Sequence, residues 1–79
     1  MNPIASPERL QTAQLLILLR QYVTDQVRQY PFLLSSVPAL REAAKAFGRN
    51  DLRQAFQNGV DVYPFLMRSR AANPGMPLP

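Results

Sequence analysis

One proline-broken phrase occurs twice, and it restricts how the chain can be laid out. Residues 19–36 read LRQYVTDQVRQYPFLLSS and residues 52–69 read LRQAFQNGVDVYPFLMRS. Nine of the eighteen aligned positions are identical, including a contiguous Tyr-Pro-Phe-Leu. Chance would give about one. Each copy is a helical pattern ending in Val-x-x-Tyr, then a proline, then Phe-Leu. Proline fixes φ and removes an amide donor, so each copy is expected to bend at its proline. The corners are Tyr30, Pro31, Phe32 and Leu33, and Tyr63, Pro64, Phe65 and Leu66. They are expected to pack at two equivalent bends, with residues 19–33 superposing on 52–66. The sharper reading makes them two docking corners for a repeated partner surface. Asn58-Gly59 alone suggests a turn, but its counterpart Asp25-Gln26 lies inside a strong helical pattern. A continuous helix is therefore expected from Asp51 to Val62.

The remaining apolar spacing is helical. Ser6-Pro7-Glu8 reads as a helix start: a capping hydroxyl, a proline that loses no bond at the first position, and an acid at the positive end of the dipole. The first helix is expected to run to about Gln29 or Tyr30, with Leu16, Leu19, Val23, Val27 and Tyr30 as its main stripe. A second helix follows Ser35-Ser36 and carries Leu40, Ala43, Ala44 and Phe47, with Gly48 as the left-handed residue that closes it. Asn50 or Asp51 caps a third, with Leu52, Ala55, Phe56, Val60 and Tyr63 toward the core. No alternating strand pattern occurs. The fold class is all-α: a small bundle of three to four helices containing the duplication 19–36/52–69. Residues 1–5 are expected to form an extended arm, 6–72 one helical domain, and 73–79 a proline-rich tail of polyproline type.

A chain of 79 residues buries only about 60% of its unfolded surface, which leaves little margin. Cysteine and histidine are absent, so disulfides and Cys/His-held metals cannot supply the deficit. The first helix is apolar beyond what one neighbour can cover. Leu10, Ala13 and Ile17 form one flank, Leu15, Leu18 and Tyr22 another, and only Gln14, Gln21, Asp25 and Arg28 keep a polar row. Such a helix is buried on most sides, either as the centre of the bundle wrapped by the other helices or, as the small size favours, against a protein partner or by self-association. The candidate interface is Pro3, Ile4, Leu10, Leu15, Ile17, Leu18, Met76 and Leu78.

Catalytic chemistry finds little material. Glu8, Asp25, Glu42, Asp51 and Asp61 are scattered, without a carboxylate pair on one apolar face. Ser6, Ser35, Ser36 and Ser69 have no histidine to act as base. The three glycines make no phosphate-cradling loop. No catalytic residue, cofactor, metal or small-molecule substrate is expected, and the chain reads as no enzyme.

Nine basic against five acidic residues give a net charge of +4, and eight of the nine bases are arginine. Arg41, Lys45, Arg49 and Arg53 recur every four residues across the second helix, its turn and the third. That layout has the outline of a helix-turn-helix, but Arg49 follows the turn glycine and Asp51 would repel phosphate at the would-be recognition helix. Nucleic-acid contact through these four is expected to be weak and without sequence preference. Met1-Asn2-Pro3-Ile4 has no basic or apolar leader pattern, and the apolar run Leu15–Leu19 is far too short for a bilayer. No membrane association is expected, and the place expected is intracellular and soluble, or within a particle such as a virion. The reading that follows is a small non-enzymatic helical subunit acting by protein–protein contact within a larger or symmetric assembly, with a phage or virion as one such setting. The alternatives are a basic helical DNA- or RNA-binding module, or a small inhibitor or adaptor that binds one host protein.

Overall fold

The computed structural model describes residues 6–79. It contains α1 (Pro7–Gln26), a 3₁₀ segment (Pro31–Ser36), α2 (Val37–Gly48) and α3 (Leu52–Ala72). No strand occurs among the described residues, and the protein is a small all-α bundle.

Local chemistry accounts for the helix starts. Ser6 is extended at φ −63°, ψ 137°, and its hydroxyl accepts from the Arg9 amide at 3.2 Å. Pro7 occupies the first turn without costing a bond. The Asp51 carboxylate accepts from the Gln54 amide at 3.2 Å and caps α3. At the end of α2 the Asn50 amide donates to Phe47 O and the Asp51 amide to Ala46 O. This paired return places Asn50 at φ 63°. Asn50, not Gly48, is thus the left-handed residue that was expected at the glycine. Asparagine tolerates that region because its short polar side chain costs little there.

The two prolines behave differently, and the expected common bend is absent. α1 stops at Gln26, the Tyr30 amide donates to Gln26 O, and Tyr30 leaves the helical region at φ −127°, ψ 76°. That is the extended conformation a residue before proline favours. Pro31 then opens the 3₁₀ segment. Pro64, by contrast, lies inside α3, which continues to Ala72. The copies share helix through Gln26 and Gly59 and diverge afterwards. The stretch through Asn58-Gly59 is helical, as its counterpart implied.

The 3₁₀ segment and α2 return along α1, and α3 then runs parallel to α1. Arg9 near the start of α1 reaches Asn50 and Phe47 at the end of α2. Leu52 and Phe56 lie beside Glu8 and Thr12, while Phe32 and Phe65 share a hollow at the other end. The core is Leu19, Tyr22, Val23, Leu33, Val62, Leu66 and Met76.

α3 turns inward a different face from the one its large residues suggest. Ala55, Gly59, Val62 and Leu66 are buried, whereas Phe56, Val60 and Tyr63 are exposed. Gly59 supplies the reason. A Cβ there would stand 3.0 Å from Leu15 Cδ2 and 3.1 Å from Leu16 Cδ2. The two helices meet closely only through a face without bulk. The tail carries no helix but packs back on the same core. Met76 is 1% exposed, its amide donates to Asn73 O, and the Tyr22 hydroxyl donates to Pro77 O at 2.9 Å.

Candidate interaction groove between α1 and α2

α2 packs far more extensively on α3 than on α1. Its buried Ala43 and Ala46, with Ala55 of α3, carry no bulk to hold those helices apart. The opposite seam stays open as a groove of about 660 Å³. One wall is the α1 flank Ala13, Leu16, Ile17, Arg20 and Thr24, spaced three and four residues apart so that it lies along one side of the helix. The other wall is Val37, Leu40, Arg41, Ala44 and Phe47 of α2, with Val23 between. Phe47 is fixed from behind: the Arg9 guanidinium sits 4.4 Å from its ring centroid, and Arg9 Nη1 donates to Asn50 Oδ1 at 2.9 Å. A cation over an aromatic face stabilises by about 0.5–1 kcal/mol at such a site.

The charged residues lining the groove are Arg20 and Arg41; no carboxylate lines it among the described residues. Nearby acids are engaged elsewhere. Glu42 pairs with Lys45 at 3.4 Å, and Asp25 accepts from Gln21 Nε2 at 2.9 Å in a neighbouring hollow of α1 that Ile17 also lines, with Leu18 and Pro79.

The structure scatters the expected interface residues. Ile17, 65% exposed, lines the groove, and Leu10, 57% exposed, lies on the same flank. Leu18 is exposed beside Ile17 in the neighbouring hollow, and Leu78 is exposed on the tail. Leu15 packs against the core beside Gly59, and Met76 is itself core. Both were expected to face a partner, but intrachain packing covers Met76 and half-buries Leu15. Pro3 and Ile4 lie outside the described residues. The corners do not form equivalent surfaces. Leu33 and Leu66 are fully buried and both prolines are exposed, but Tyr30 is half-buried where Tyr63 is exposed, and Phe32 is exposed where Phe65 is half-buried. Arg41, Lys45, Arg49 and Arg53 are all exposed. The Asp51 carboxylate occupies the N-terminus of α3, where phosphate would have to sit.

Among the described residues no three His, Cys, Asp or Glu side chains gather as a metal-binding group, and no helix is long and apolar enough to cross a membrane. The Tyr22 phenol departs from its usual behaviour. Burial raises its pKa above 10.0; the Arg70 charge opposes this and the neighbouring Tyr30 adds to it. The groove's α2 wall was missed because Leu40, Ala44 and Phe47 read as core; Leu40 does pack against the core, but Ala44 is exposed and all three line the groove. The available signal was an apolar arc on α2 wider than one neighbour needs. No protein-family model matches the chain, and no curated protein or solved structure matches it.

Proposed function

We propose that the chain is a contact subunit of a larger assembly and works by seating a helical segment of another molecule in the α1–α2 groove. The observation that carries this reading is Ile17, the most exposed of the large apolar residues among those described, standing in the wall of an apolar groove. Fully burying such a side chain is worth about 1.5–3 kcal/mol, which a seated helix would recover. A packed helix suits the site because the two walls are themselves helices with three- and four-residue ridges. A place in a repetitive particle such as a virion suits a chain with contact surfaces on more than one face. The exposed Phe56, Val60 and Tyr63 on α3 offer a second one, away from the groove.

An apolar fluorescent dye tests the groove without knowledge of the partner. The folded chain should bind the dye with saturation, and Ile17→Asp should abolish binding while helix content and the urea midpoint stay unchanged. A folded parent chain that takes up no dye would sink the reading.

A further inference from the structure

We propose that the occupant of the groove is an acidic amphipathic helix of a partner protein. The proposal rests on the contact reading above and specifies the chemistry of the guest. The floor and walls, Leu16, Ile17, Leu40 and Phe47, ask for an apolar stripe at i, i+3, i+4 and i+7. The charges on the lining are arginines, Arg20 from α1 and Arg41 from α2, both exposed. A helix lying between them with glutamate or aspartate along its flanks meets a guanidinium on either side. Guanidinium forks suit carboxylates because two parallel N–H donors match two oxygens. Basic flanks on the guest would instead place like charges at the edge of an apolar seam.

A second copy of this chain is a poorer guest on the same grounds. The polar row on the outward side of α1 carries Gln14, Gln21, Asp25 and Arg28, so its one carboxylate is matched by a guanidinium and is already held by Gln21. Seating that helix in another copy's groove would bring a further Arg20 against Arg20 and Arg41. The chain as a whole carries a net charge of +4, so copies repel at long range while an acidic partner is steered in.

The experiment is fluorescence anisotropy with synthetic helical peptides of about 14 residues, long enough to span the 12 residues of α2. One peptide carries a leucine stripe with glutamate flanks, a second the same stripe with lysine flanks, and a third the glutamates with the stripe scrambled. The glutamate peptide should bind about tenfold more tightly than the lysine peptide at low salt, the combined effect of a few exposed ion pairs. The preference should shrink as salt is raised, and the scrambled peptide should not bind. Arg20→Glu plus Arg41→Glu should reverse the preference, with circular dichroism confirming an intact fold. Equal affinity for both striped peptides, or a preference that the double variant leaves intact, overturns the proposal. A parent that is dimeric by light scattering and made monomeric by Ile17→Asp overturns the acidic guest but keeps the contact reading. If neither striped peptide binds and no apolar dye is taken up, both fail.

Discussion

Gly59 decides how closely α1 and α3 approach, because its missing side chain is where Leu15 and Leu16 sit. A valine there must displace both leucines and should cost about 1–3 kcal/mol, the usual range for overpacking. Gly59→Ala should be close to neutral. The half-buried leucine methyls can yield a few tenths of an ångström, and removing a mid-helix glycine returns about 1 kcal/mol. Urea unfolding of the two variants checks the pair, and a harmless valine would show that the helices are not in contact at this point. Tyr22 ties the tail's packing to pH. Its phenol donates to Pro77 O only while protonated, and burial holds its folded pKa above 10.0. The folded state therefore keeps this proton more firmly than the unfolded chain does. The resulting stability is fully present below the unfolded value and is lost as pH rises through the higher folded one. Unfolding free energy should fall in that alkaline window, and Tyr22→Phe should flatten the fall. An unchanged alkaline profile in the variant would assign the loss to another group.

At the scale of elements, the same tetrapeptide meets two outcomes because its neighbours differ. α1 must reverse for α2 to pack beside it, so the chain leaves the helix at Tyr30 and Pro31 opens the next segment at no cost in hydrogen bonds. α3 has no such demand. Leu66 has to reach the core beyond Pro64, and a continuous helix carries it there. The bond Pro64 forgoes would have gone to Val60 O; both residues are exposed, so water can serve that carbonyl. Pro64→Ala should accordingly stabilise the protein by about 2–3 kcal/mol, while Pro31→Ala should weaken it by about 0.5–1 kcal/mol through a freer unfolded chain. Denaturant midpoints moving in opposite directions support this account. Equal responses would favour one shared bend.

The whole molecule depends on its last residues. Among the described residues Met76 is one of four large side chains fully shut from solvent, beside Leu19, Leu33 and Leu66. Met76→Ala should cost about 2–4 kcal/mol, a large share of the ~5 kcal/mol expected of so small a domain, and thermal unfolding would register it as a steep drop. Leu10→Ser plus Ile17→Ser should shift the unfolding free energy by no more than about 0.5 kcal/mol, since both side chains stand in solvent. A strong loss in that double variant would make the outer flank of α1 core and remove the groove's open wall.

What could be read from the sequence is what is decided within a few residues. Ser6 and Asp51 cap the helices they were expected to cap, and helical spacing alone indicates an all-α bundle. The surplus of apolar surface on α1, Leu10 and Ile17 included, was equally visible. Contacts between distant residues decided the rest. α3 shows its small face to α1 because Gly59 meets Leu15 and Leu16, forty-odd positions away, so Phe56, Val60 and Tyr63 are left outside. Met76 is core because Tyr22 holds Pro77. The groove belongs to no segment: it is the space left where α2 prefers α3 over α1. Periodicity states that a helix has an apolar face, but which neighbour covers that face is settled only when all the helices compete for the same few contacts.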